Sequence, residues 1–156
     1  DLQIIEVDKQ IKAIGEADER VARLKTIPGF GPLVSLLMIA IIDDVDRFDD
    51  AKKFGSYLGL TPREFSSGDK RRLGSITRSG PEMLRRYLIH GARAVLLHTD
   101  ENTKDKNRIW ALRLKNKSGI NKATVAFAHR IARIGFAILR DGTNYEIKSV
   151  VNLNAE

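Results

Sequence analysis

The residues with the clearest capacity for chemistry stand together between positions 59 and 95. Ser66-Ser67-Gly68 lies just before Lys70-Arg71-Arg72, and eight side chains in the stretch are cationic: Arg63, Lys70, Arg71, Arg72, Arg78, Arg85, Arg86 and Arg93. A serine beside glycine and surrounded by cations suits attack on a phosphodiester. Glycine leaves the hydroxyl an open approach, and guanidinium groups stabilise charge on the phosphoryl oxygens. A covalent phosphoserine would conserve the bond energy, so a cut strand could be rejoined without ATP. On spacing alone the signal is weak, because Ser-Gly is common in loops.

A second candidate lies upstream. Leu24-x-x-Ile27-Pro28-Gly29-Phe30-Gly31-Pro32-x-x-Ser35 fits the helix-hairpin-helix pattern. There Gly29 and Gly31 would let backbone N–H groups approach a phosphate at the start of the second helix, where the dipole favours an anion. The competing reading is a Gly-Pro turn between two packed helices. His90 and His98, eight apart on one helix, could offer a general base but are more simply core or surface residues. His129 falls in an apolar helix and reads as structural. Asp43, Asp44, Asp46, Asp49 and Asp50 invite a metal, yet helix ending and capping explain them more cheaply. Trp110, among Lys104, Lys106, Arg108, Arg113, Lys115 and Lys117, could stack on a base but fits a core position better.

The 156 residues suffice for one domain of ordinary size with a sizeable core. With 42% hydrophobic residues the chain is too apolar for a disordered tail. The absence of Cys excludes disulfides, zinc–cysteine sites and thiol chemistry. The net charge of +7 is unevenly spread: −5 over residues 1–50, +7 over 51–99 and +5 over 100–156. A polyanion, most often nucleic acid, is therefore expected at the middle and C-terminal parts. The longest apolar run, Leu33 to Ile42 broken only by Ser35, is about half a membrane span, and no secretory signal is visible. No membrane partner and a cytoplasmic location follow as expectations. The chain begins without Met inside a helical pattern, which reads as a piece of something longer.

The elements that must position these residues are helical. Ile4, Val7, Ile11, Ile14, Val21 and Leu24 form a heptad-like seam with Asp18 in its one missing slot, predicting a coiled-coil-like helix over residues 3–25. Pro32 opens an apolar helix to about Ile42, ended by Asp43-Asp44. Asp49 or Asp50 caps a short helix that Gly59 stops. Residues 60–80 have no helical period and read as a long basic loop, with room for a small hairpin; a loop of that length inside a domain is usually functional. Pro81 opens a helix to about His98, with Met83, Leu84, Tyr87, Leu88, Ala92, Val95 and Leu96 as its inner face. A basic helix over 101–116, an Ala-rich apolar helix over 121–140 and a loose tail from Lys148 complete an all-α class of roughly six helices.

From Gly59 the chain reads GLTPREFSSGDKRRLGSITRSGPEMLRRYLIHGARAVL, preceded by IPGFGPLVSLLMIAIIDDVDRFDDAKKFGSYLGL. These long ordered strings resemble the C-terminal part of the insertion-sequence one-ten transposases, especially their eleven-eleven subgroup. Those are DEDD-type recombinases related to the Piv DNA invertase. The similarity spans about residues 20–140. It implies residues 1–25 as the end of a coiled-coil segment, 26–147 as the C-terminal transposase domain and 148–156 as tail. It further implies a RuvC-like N-terminal domain, outside these residues, whose acidic ligands hold Mg²⁺. DNA is the implied partner, with a structured bridge RNA in well-studied members, a homo-oligomer in the full-length protein and a nucleoid-associated place in a bacterium. The family's motif serine, which links covalently to DNA, carries over to Ser67, directly before Gly68, with Ser66 the alternative. Arg63, Lys70, Arg71, Arg72 and Arg78 would hold phosphates, and Arg85 and Arg86 would support the loop or contact a strand. Two positions depart from the pattern: Asp69 stands where many relatives have a second glycine, and Thr77-Arg78-Ser79-Gly80 where they tend to read S-K-R-G. A non-enzymatic DNA- or RNA-binding module and an assembly module joined through residues 3–25 are the rival readings.

Overall fold

The computed structural model describes residues 2–65 and 72–148. The expected all-α class holds: seven α-helices and a 3₁₀ turn accompany one two-stranded hairpin among these residues. The helix expected over 3–25 is in fact two, α1 (Leu2–Glu16) and α2 (Glu19–Leu24). Asp18 is the reason. Its carboxylate accepts from the Arg20 backbone N–H at 2.8 Å and from the Arg20 guanidinium, so it caps α2 instead of filling a seam. The guanidinium holds that carboxyl below its usual range. The seam divides accordingly: Val21 and Leu24 are fully buried, whereas Ile4, Val7 and Ile14 are exposed.

A turn then leads into α3 (Pro32–Ile42), with Pro32 in its first turn and Ser35 donating back to the Gly31 carbonyl. Arg47 donates to the Ile41 and Ile42 carbonyls left open at the end of α3. Asp50 caps α4 (Ala51–Tyr57) through the Lys53 N–H at 2.7 Å. Beyond the hairpin, described below, come α5 (Glu82–His98), α6 (Lys106–Ser118) and α7 (Ile120–Asp141).

The 22-residue α7 is the centre of the fold and packs on α2, α4, α5 and α6. Its small residues Ala123, Ala128, Ala132 and Gly135 let neighbours approach closely, and its Phe127, Ile131 and Phe136 fill the core. Phe136 stacks on Phe54 at 5.3 Å, and the Phe48 ring meets Phe54 edge-on at 5.3 Å. The face expected for α5 is corrected at two positions. Leu84, Leu88, Ala92 and Leu96 are buried, but Met83 and Tyr87 point outward. A strap, residues 143–148, crosses the far end of α7. It is pinned where Tyr145 N–H donates to Thr26 Oγ1 and where Lys106 N–H donates to the Lys148 carbonyl.

Candidate nucleic-acid interface

Two arms of the basic loop expected over 60–80 pair as a hairpin: β1 (Pro62–Glu64) runs antiparallel to β2 (Leu73–Ile76), Pro62 opposite Ile76 and Glu64 opposite Leu73. Phe65 N–H donates to the Arg72 carbonyl at 2.8 Å, the last rung before residues 66–71. Ser66, Ser67, Lys70 and Arg71 lie outside the described residues. The arms that lead to them are described. Arg63, Arg72 and Arg78 are exposed, and the apolar Phe65 and Leu73 are also more than half exposed. Ile76 of β2 is half-buried against the core, while residues 62–65 and 72–75 are exposed. The arms thus present cations and two apolar side chains to solvent.

The hairpin is fixed at its base. Gly59 has φ +68° and Gly80 φ +73°, a region that favours glycine. A Cβ on Gly59 would lie 2.2 Å from the Ser79 oxygen, and one on Gly80 would lie 1.9 Å from the Tyr57 oxygen. The entering and leaving strands thus cross backbone to backbone. Arg85 closes the crossing from below. It is 7% exposed, and its Nη1 donates to the Leu58 carbonyl at 3.1 Å and the Ser79 carbonyl at 2.7 Å. Further ties run from Thr77 N–H to Thr61 O and from Arg78 N–H to Gly59 O. Of the two roles foreseen for Arg85, loop support and strand contact, its geometry fits the first. Gly59, Gly80 and Arg85 act together as the anchor of this site. The sequence marks Gly59 only as a helix stop and does not separate Arg85 from Arg86, both expected to support the loop or contact a strand. The signal passed over is a pair of glycines bracketing the basic loop.

Arg86 is exposed on α5 and, with Met83, Tyr87 and His90, lines a small cleft of about 260 Å³. The upstream turn has two unlike glycines. Gly29 lies against Gly91 of α5, where a Cβ would meet Gly91 backbone atoms at 3.0 Å. Gly31, the N-cap of α3, has no heavy atom within 4 Å of its would-be Cβ. So Gly29 is used in helix packing, and Gly31 leaves its backbone approachable. Asp44 and Asp50 cap helical turns. Among the described residues no group of three or more His, Cys, Asp or Glu side chains could hold a metal ion.

His129 is structural, wedged between α4 and α7. Its Nε2 is buried without a hydrogen-bond partner, and a Cβ on Gly55 would lie 2.3 Å from it. Burial, then the nearby Arg133 charge, hold its pKa below 6.5. The unfolded chain accepts a proton that the folded chain refuses. Stability is therefore lost as pH falls below 6.5 and is fully present above it. Urea midpoints near pH 7.5 and pH 5.5 should differ, and His129→Leu should reduce that difference. An unchanged difference would remove His129 as its source.

A model for the transposase IS116/IS110/IS902 family matches residues 21–108. The chain belongs to this family. The matched span exceeds half of the chain and includes the hairpin, its crossed glycines and Arg85. Curated relatives agree, two of them named transposases and one a gene-inverting protein. The chain is 38% identical over 145 residues to the transposase for insertion sequence element IS1111A of Coxiella burnetii, covering 93% of this chain and 40% of the relative. It is 36% identical to a probable family 20 transposase of Pseudomonas aeruginosa, covering 92% and 42%. It is 27% identical to the pilin gene-inverting protein of Moraxella lacunata, covering 92% and 45%. The chain thus spans about two fifths of the length of these relatives.

Proposed function

We propose that this chain is the serine-bearing half of a transposase active site, acting on DNA through the hairpin of residues 59–80. The observation that carries the reading is the hairpin itself. It is an exposed, arginine-armed projection whose base is locked by two crossed glycines and a buried arginine. A loop that only joined α4 to α5 would need none of this. Rigid anchoring is what a displaced nucleophile requires to hold its attack geometry.

In this reading Ser67 Oγ attacks a backbone phosphorus, with Ser66 the alternative. A P–O bond to serine forms as the P–O bond to one sugar oxygen breaks. The serine proton is lost, and the departing sugar oxygen takes a proton to leave as a hydroxyl. Attack by a hydroxyl of another strand reverses the step and frees the serine. Arg63, Lys70, Arg71, Arg72 and Arg78 bind phosphates, Arg86 contacts the strand from α5, and the open backbone at Gly31 adds a helix-hairpin-helix contact. Acidic residues of an N-terminal domain would hold Mg²⁺. A guide RNA, assembly of several copies and a cytoplasmic setting belong to the same proposal. Among the described residues no helix is long and apolar enough to cross a membrane.

Two measurements test it. In a full-length protein containing this chain, Ser67→Ala should lower strand exchange at least about a thousand-fold, as expected for loss of a nucleophile, while DNA affinity changes less than about twofold. Arg72→Gln with Arg78→Gln should instead weaken DNA binding and flatten its salt dependence, because each lost phosphate contact releases fewer counterions. Recombination that survives both Ser67→Ala and Ser66→Ala would leave a binding module without the proposed chemistry.

A further inference from the structure

We propose a second phosphodiester-binding site in the cleft between α6, α7 and the strap over residues 143–148. The cleft has a volume of about 710 Å³, within the range of ligand-sized sites. None of its lining residues belongs to the hairpin. Lys106, Arg130, Arg133 and Lys148 line it, against one carboxylate, Glu146. No carboxylate pairs with any of these four cations among the described residues.

The arrangement is built, not incidental. Arg130 lies over the Trp110 ring at 4.5 Å, and its Nε donates to Asn107 Oδ1 at 2.7 Å, so the guanidinium is held in one orientation. Asn107 Nδ2 donates to the Tyr145 hydroxyl at 2.9 Å, and that hydroxyl donates to the Asp105 carboxylate at 2.8 Å. Asp105 is 2% exposed and also caps α6 through Asn107 N–H. Its charge is thus taken up inside the protein, by Tyr145, the helix start and the nearby Arg108 at 3.5 Å. The Tyr145 hydroxyl, its pKa pushed up to about 12 chiefly by burial, stays a donor. What faces the cleft is an oriented guanidinium with three further cations around it. Planar guanidinium groups bind phosphate oxygens in pairs, which fits a nucleic-acid backbone, DNA or RNA. The inference rests on the reading that this chain handles nucleic acid, but not on the serine.

The test is fluorescence anisotropy on the 156-residue chain, with a single-stranded DNA oligonucleotide and an RNA of the same sequence. Lys106→Gln/Arg133→Gln should weaken at least one of them about tenfold at moderate salt. It should also reduce the salt slope by roughly 1.4, two contacts at about 0.7 each on a single strand. The polymer that loses affinity identifies the source of the phosphates. Arg72→Gln/Arg78→Gln should weaken binding independently, so the combined variant shows the product of the two losses. Should the Arg133 variant melt near the assay temperature, Lys106→Gln/Lys148→Gln, both exposed side chains, carries the same expectation. Unchanged affinity and slope in the cleft variants, with the hairpin variant weakened, would overturn this site and leave the hairpin reading standing. Failure of the unaltered chain to bind either polymer would overturn both.

Discussion

Gly91→Ala is expected to destabilise the fold by about 3 kcal/mol and lower its melting temperature by roughly 6–12 °C, the upper end of overpacking losses. A Cβ at position 91 would stand 2.1 Å from the Gly29 oxygen and 3.1 Å from its carbonyl carbon. Both are backbone atoms, so no rotamer change relieves the overlap. Either α5 or the 27–31 turn must move, and α5 carries Arg85. A Cβ on Gly29 would in turn meet Val95 Cγ2 at 3.3 Å, with φ at +91° adding strain. Gly31→Ala is the control: open space surrounds that position, and exchanging an N-cap glycine for alanine costs about 1 kcal/mol at most. Thermal unfolding followed by circular dichroism decides between them. Equal melting temperatures for the two variants would refute the interlocked glycines.

Arg85→Met is expected to have the second large effect, about 3 kcal/mol of stability together with loss of strand exchange. The apolar replacement fills the space but leaves the Leu58 and Ser79 carbonyls without their charged donor. Those carbonyls belong to the two chain segments that cross at Gly59 and Gly80, so the hairpin loses its anchor. Arg85 acts through the hairpin and not on substrate, which sets a pattern for the readout. Strand exchange in the full-length protein should fall at least tenfold, while oligonucleotide affinity, carried by exposed cations, stays within about threefold. Arg85→Lys retains a charged donor and should recover part of both losses. Equal losses of affinity and of strand exchange would instead make Arg85 a direct phosphate ligand.

These two positions also mark where sequence reasoning stopped. Local signals were legible. Pro32 opens α3 and Asp50 caps α4, each because the deciding contact lies within a few residues. Asp18 was misread because a heptad seam tolerates one polar residue, and nothing in the spacing tells a tolerated polar residue from an N-cap. The inner face of α5 was right at Leu84, Leu88, Ala92 and Leu96 but not at Met83 and Tyr87, since a 3.6-residue period gives a face without its width. Arg85 could not be separated from Arg86 by type. Their roles diverge only because Leu58 and Ser79, 27 and 6 residues away, are brought beneath one of them. Trp110 looked like core or a base platform; it is half-buried beneath Arg130, a partner 20 positions on. Tertiary pairings of this kind leave no periodic trace. The tail, expected to be loose from Lys148, is tied at that residue's carbonyl by Lys106, with residues 149–156 outside the described part.

The central claim, that a hairpin serine exchanges ester bonds with DNA, is tested most directly by finding which residue becomes bonded to the strand. A full-length protein containing this chain is stopped during cleavage by denaturant, digested with protease and nuclease, and the adduct sequenced by mass spectrometry. The account predicts a nucleotide phosphate on Ser67, absent in Ser67→Ala and retained in Ser66→Ala. A nucleotide phosphate on a residue other than Ser66 or Ser67, or efficient cleavage with no protein adduct, would contradict it.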